Sequence, residues 1–132
     1  MFTVMTWNVE NLFRPGSSAG PGAQAVYEAK LKGLASMIND HAPTVVGLQE
    51  VGDPVALGDL VDLLDGTWQQ QISSRPDQRG IRVAWLSQRP IAASEEVVAF
   101  PAPLAPVQRD DQVLSAARVG HGRAAVVGDG RV

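Results

Sequence analysis

Cysteine is absent from all 132 residues. Disulfides, thiolate catalysis and cysteine-ligated zinc are therefore excluded. Histidine is scarce, with His41 and His121 as the only two. No run of like charge exceeds two residues, and 11 basic against 14 acidic residues give a net charge of -3. There is no polybasic grip for nucleic acid, although a small nuclease site does not need one. No apolar stretch reaches the ~20 residues that cross a bilayer. Met1 to Met5 runs straight into polar residues, without the basic and then apolar order of a signal peptide. The expectation is a soluble cytoplasmic protein with no membrane span. At 45% hydrophobic and 19% charged, the composition is that of a globular chain. Its length suits one domain with a real core.

Patterning predicts an α/β order. Phe2 to Val9 is dense in β-branched and aromatic residues and reads as a strand, apolar on both faces apart from its threonines. Arg14 to Gly22 is too rich in glycine, proline and serine for a regular element. From Ala25 to Asn39 the period becomes helical: Tyr27, Leu31, Leu34 and Ile38 form one stripe, with Lys30 and Lys32 directed elsewhere. Pro43 breaks the helix, and Thr44 to Gln49 is apolar enough for burial on both faces. A second helix is expected from Pro54, capped by Asp53, faced by Leu57, Leu60, Val61 and Leu64, and stopped at Gly66. Trp68–Ile72, Ile81–Leu86 and a run from Pro90 to Phe100 read as further strands. In the middle one, Ile81, Val83 and Trp85 share one face, and Arg82, Ala84 and Leu86 the other. Pro101, Pro103 and Pro106 make the next segment irregular. Ala116 to Val127 reads as a last strand interrupted by a turn at Gly120-His121-Gly122. Helices are expected on one face of the sheet, with the late strands beginning a second sheet. The chain stops at Gly128-Asp129-Gly130-Arg131-Val132, a turn signal and then one apolar residue, which leaves an open sheet edge.

Two segments carry the chemistry: Thr6-Trp7-Asn8-Val9-Glu10-Asn11 and Val45-Val46-Gly47-Leu48-Gln49-Glu50-Val51. Each is an apolar run ending in an oxygen-bearing side chain. A carboxylate that ends a buried strand is costly unless it is hydrogen-bonded or metal-bound. Magnesium takes oxygen ligands and commonly needs only one or two carboxylates, with water and substrate phosphate completing its shell. Glu50 and Asn8 are thus candidate metal and catalytic residues. Asn8 also reads as a turn residue ahead of the loop, and Glu50 as a solvated strand end. Glu10 and Asn11 are placed on the loop, where one of them would support the pocket.

The same segments resemble known motifs. Thr6-Trp7-Asn8-Val9-Glu10-Asn11-Leu12-Phe13 is similar to the opening of the endonuclease/exonuclease/phosphatase superfamily. Gly47-Leu48-Gln49-Glu50-Val51 resembles its second motif. Asp77-Gln78-Arg79-Gly80-Ile81-Arg82-Val83-Ala84-Trp85-Leu86-Ser87 resembles the stretch that follows. The resemblance implies a four-layer α/β sandwich of the deoxyribonuclease-like type, apparently truncated after its first half, so that residues 1–132 form the N-terminal portion of one domain. It implies a hydrolase of phosphodiesters or phosphomonoesters that depends on Mg2+ or Mn2+ and uses in-line water attack. Glu50 would bind the metal, and Asn8 would lie beside metal and phosphate. The family's attacking water is activated by an aspartate, and a late histidine contacts the phosphate. No residue here matches those two. Asp129 lacks the strand and asparagine that should follow it, and His41 and His121 lack the right context. Tyr27 belongs to the helix stripe rather than matching the tyrosine some members use, and Thr44 reads as structural.

Asp77, Arg79 and Arg82 are candidates to line a phosphate pocket, with Asp77 and Arg82 as the substrate-binding choice; all three also read as ordinary surface. Arg109-Asp110-Asp111 reads as a solvated loop. Trp7, Trp68 and Trp85 read as core or boundary residues. Gly16, Gly20 and Gly22 lack the spacing and the lysine of a nucleotide-binding loop. The expected partner is a phosphate-ester substrate, nucleic acid among the candidates, with a partner chain or a second copy at the open edge. The competing readings are a non-catalytic binding or assembly module and a functionless truncated fragment.

Overall fold

In the computed structural model, residues 1–97 are described in full. Strands at 107–109, 112–114 and 121–126 are described by their backbone. The order is β1 (Val4–Leu12), α1 (Gln24–His41), β2 (Val45–Val51), α2 (Pro54–Val61), β3 (Gln69–Ile72), β4 (Arg82–Ser87), β5 (Ile91–Val97), β6 (Val107–Arg109), β7 (Gln112–Leu114) and β8 (His121–Val126). The main sheet runs β1-β2-β4-β3, with β1 parallel to β2 and the other neighbours antiparallel. A parallel pair needs a crossover, and α1 supplies it. A second ladder joins β5 to β8, and a third joins β6 to β7. This is an α/β fold with a mixed sheet.

The core lies between the main sheet and the two helices. Tyr27, Leu31, Leu34 and Ile38 are buried along α1, as their spacing predicts. They meet Val46 and Leu48 of β2, Ala84 and Leu86 of β4, and Leu57 and Leu60 of α2. Leu48, Leu57, Leu60 and Leu86 are among the largest fully buried side chains. Each contributes about 1.5–3 kcal/mol by leaving water. Asp53 caps α2 as expected, its Oδ1 accepting from the Ala56 N–H at 2.8 Å. The helix ends at Val61, five residues before Gly66, although Leu64 stays buried.

The opposite face of the sheet carries Thr6, Gly47, Val83 and Trp85. The Trp85 ring lies over Gly47, where a Cβ would sit 3.1 Å from its Cζ3 atom. β5 crosses near this face: Ser94, Glu95 and Glu96 share a cleft with Val83 and Trp85. Glu96 accepts from the N–H and the hydroxyl of Ser74, and Ile91 N–H donates to Gln69 Oε1 at 2.8 Å. The expected second sheet thus begins with β5 and β8. Thr3 and Thr44 bind each other reciprocally, each N–H donating to the other's Oγ1 at 3.1 Å. They align the starts of β1 and β2.

Several boundaries differ from expectation. β1 runs to Leu12 rather than Val9, so Glu10 and Asn11 belong to the strand and not to the loop. Among the described residues it is an outer strand, and its first residue Val4 and the preceding Phe2 are exposed. β2 extends to Val51, so Glu50 lies within it. β8 begins at His121, so His121 and Gly122 are strand rather than turn. Val98 to Pro106, Asp110, Asp111, Ser115 to Gly120 and Val127 to Val132 lie outside the described residues, and with them the start and end of the strand expected from Ala116 to Val127. Among the described residues, no helix is long and apolar enough to cross a membrane.

Candidate functional site

Adjacent parallel strands carry Asn8 and Glu50 to the same end of the sheet. Asn8 pairs with Gln49, and Glu50 follows directly. Between the paired positions Asn8–Gln49 and Leu12–Val51, β1 inserts Val9, Glu10 and Asn11 against Glu50 alone. On the other side, between Leu48–Ala84 and Val51–Arg82, β2 inserts Gln49 and Glu50 against Val83. The ladder therefore opens around Glu50 against both neighbours. Bulges of this kind re-aim a side chain at a sheet rim. Glu50 has φ 64°, Glu10 51° and Asn11 59°, all in the left-handed region. Such a backbone costs of order 1–3 kcal/mol per residue unless its surroundings hold it.

The surroundings do hold it. Asn8 Oδ1 accepts from the Glu10 N–H at 2.8 Å. The ammonium of Lys30, on α1, donates to the Glu10 carbonyl. Phe13 N–H donates to the Asn11 carbonyl at 2.9 Å, and Gly52 N–H to the Leu12 carbonyl at 2.8 Å. Gly52 also offers its own carbonyl to the Arg82 guanidinium. A Cβ on Gly52 would lie 2.4 Å from Phe13 Cδ1 and 2.7 Å from the Leu12 carbonyl oxygen, so only glycine fits.

Electrostatically the rim is a carboxylate among cations. Glu50 is partly buried, and its Oε1 lies 3.8 Å from Arg79 Nη1. Arg79 Nε also holds Asp77 Oδ2 at 3.1 Å. Asp77 Oδ1 accepts from the N–H groups of Arg79 at 2.8 Å and Ile81 at 3.1 Å. Burial works against the Asp77 anion, but these bonds and the Arg79 charge outweigh it and hold its pKa below the ordinary value. Burial pushes the Lys30 ammonium down, while the carboxylates of Glu10 and Glu50 pull it back up; the net shift is downward.

The sequence-derived candidates thus occupy different positions. Asn8 and Glu50 lie at the same end of neighbouring parallel strands, Asn8 opposite Gln49. Asp77 closes its own turn and anchors Arg79, which reaches Glu50. Arg82 is half-buried and braces the Gly52 and Gly80 carbonyls. Lys30 was expected to point away; instead it reaches the Glu10 bulge. The signal for it was its helical spacing, since Tyr27 and Leu34 of the buried stripe are its i−3 and i+4 neighbours. Tyr27 is buried and its hydroxyl donates to Asp59 Oδ2 at 2.8 Å, away from these groups.

The donor set suits a hard divalent ion in part. The Glu50 carboxylate and the Asn8 amide carbonyl are oxygen donors, whereas the Arg79 guanidinium competes with an ion for the Glu50 carboxylate. Among the described residues, no three His, Cys, Asp or Glu side chains cluster closely enough to hold an ion. The rim therefore offers an ion one carboxylate and one amide, with the rest of its shell left to water and phosphate.

Fold and rim together describe an α/β protein with a mixed sheet that brings two oxygen-bearing residues to one end of neighbouring parallel strands. A model of the Endonuclease/Exonuclease/phosphatase family matches residues 5–129, and the chain belongs to that family. In fold it is similar to an endonuclease/exonuclease/phosphatase family protein from Leptotrichia buccalis C-1013-b, with a TM-score of 0.60 and 16% identity. The match covers 99% of this chain and 50% of that one, so the chain spans half the length of its structural relative. A comparison with curated proteins gives no significant match.

Proposed function

We propose that residues 1–132 supply the first half of a four-layer endonuclease/exonuclease/phosphatase domain that hydrolyses phosphate esters by in-line attack of water. The observation that carries this reading is the double bulge at Glu50, which puts that residue, with its strained backbone, at the end of the sheet where Asn8 also lies. Glu50, with Asn8 beside it, would hold Mg2+ or Mn2+. When bound, that ion would polarise the phosphate and stabilise charge on the transferring group. Asn8 fixes the Glu10 N–H through Oδ1, leaving its amide NH2 to orient a phosphate oxygen. Arg79 is the exposed cation nearest Glu50 and would meet the incoming phosphate, while Asp77 keeps it in place. Arg82 contributes by bracing the Gly52 carbonyl behind the rim. Support for the sandwich comes from the helix-covered sheet, with β5 and β8 starting a second sheet over its other face. The substrate is a phosphate ester, and nucleic acid is one candidate. β1 and β3 are the outer strands of the main sheet among the described residues, and a partner chain or second copy would add there.

Equilibrium Mn2+ binding by the wild-type chain and by Glu50→Gln tests this reading. Removing the only charged ligand should weaken binding by at least about tenfold, which is ~1.4 kcal/mol. Equal affinity in both chains would refute the assignment of Glu50.

A further inference from the structure

We propose that Lys30 is a positioning residue: its ammonium locks the Glu10 carbonyl of the β1 bulge and so fixes the rim on which Glu50 stands. The inference rests on the metal-site reading only for what Glu50 is used for. Lys30 sits nearly two turns into α1, at the edge of the stripe made by Tyr27, Leu31 and Leu34. It is half-buried, whereas Lys32, two residues on, is exposed. A lysine loses hydration when half-buried, and three groups of the rim offset part of that loss. One is the Glu10 carbonyl, which accepts its proton. The others are the carboxylates of Glu10 and Glu50, which both act on its charge.

The register explains why this bond has leverage. Pairing between β1 and β2 skips from Asn8 to Leu12, and Glu10 lies in the gap. Its backbone is held by side chains instead: the N–H by Asn8 and the C=O by Lys30. Glu10 and Asn11 both have positive φ, so the bulge stores strain that these two side chains restrain. Glu50 faces the bulge from β2, also at positive φ. Lys30 therefore joins the crossover helix to the one place where the two strands separate. It places the carboxylate without serving as a ligand.

The test is amide hydrogen exchange in the 132-residue chain, comparing wild type with Lys30→Met, Lys30→Arg and the exposed control Lys32→Met. The reporters are the Glu10 and Phe13 amides, whose acceptors flank the bulge. Loss of one charge-assisted hydrogen bond should speed their exchange about tenfold or more in Lys30→Met. Lys30→Arg, which keeps a donor and the charge, should restore protection to within about twofold, and Lys32→Met should leave it unchanged. Four outcomes overturn the proposal: unchanged exchange at both amides in Lys30→Met, an increase spread evenly through α1 and β2, loss of the whole fold, or no rescue by arginine. Mn2+ added to the same samples separates the two ideas. Local exchange that depends on Lys30, with no Mn2+ taken up near Glu50, supports the placement of Lys30 and fails only the metal reading.

Discussion

At Glu50 the backbone, not the side chain, carries the cost. A left-handed φ at a residue with a Cβ is unfavourable by roughly 1–2 kcal/mol relative to glycine. Glu50→Gly and Glu50→Ala both delete the carboxylate, so their difference isolates this strain. Glu50→Gly should be the more stable of the two by about 1 kcal/mol in urea unfolding. Equal midpoints would mean that the bulge does not impose the strained conformation in solution. Asp77 gives a pH signature. Its pKa is lowered in the folded chain, so the unfolded state binds the proton more readily. Its contribution to stability is therefore fully present above the unfolded value, roughly pH 4, and is lost as pH falls through the folded value. Wild type should lose stability below about pH 4 more steeply than Asp77→Asn, whose side chain does not titrate. Parallel pH profiles in acid unfolding would contradict the bonded arrangement around Asp77. Neither effect could be read from the sequence. Positive φ at a glutamate has no sequence marker, and Asp77 read as a phosphate-pocket candidate or as ordinary surface, with no sign of the backbone bonds it accepts.

Among elements, the join between β2 and α2 is tight. Gly52 takes the Leu12 carbonyl, gives its own to Arg82, and leaves no room for a Cβ beside Phe13. Gly52→Ala should cost more than about 2 kcal/mol, because one of the clashing atoms is backbone. Asp53→Ala, one residue on, removes only the cap and should cost about 1 kcal/mol. Thermal unfolding of the two variants checks the order; a milder Gly52→Ala would mean that the strand ends pack more loosely than described. The elements themselves were largely legible. Helical spacing in α1, the proline and aspartate that open α2, and the apolar run of β2 each dictate one local structure. Their ends were not legible, because bulges carried β1 past Val9 and β2 past Gln49. Bulges obey pairing between strands, which a single strand's pattern does not encode. Lys30 was misjudged for a related reason. A charged residue at the edge of an apolar stripe reads as solvent-facing until the bulge that receives it is known.

For the whole molecule, the parallel β1–β2 pair is what turns two motifs into one site. Both strands run the same way, so their C-terminal ends coincide, and residues 41 positions apart in the chain, such as Thr3 and Thr44, are paired at their starts. That coincidence was inferable from the two motifs with a helix between them; the double bulge that aims Glu50 was not. The chain spans half of its structural relative, and among the described residues no three carboxylate, histidine or cysteine side chains cluster at this rim. We expect these 132 residues alone to hydrolyse a generic phosphodiester with Mg2+ no faster than Glu50→Gln does. Robust turnover that the substitution removes would overturn the proposal that the remaining acid–base groups lie elsewhere. The most direct measurement is paramagnetic broadening by substoichiometric Mn2+, read amide by amide in the NMR spectrum. Broadening centred on Asn8, Glu10 and Glu50, and absent in Glu50→Gln, is the result expected of a metal-holding rim. Broadening centred on another acidic surface, such as Asp62 and Asp65, or none at Glu50, would contradict it.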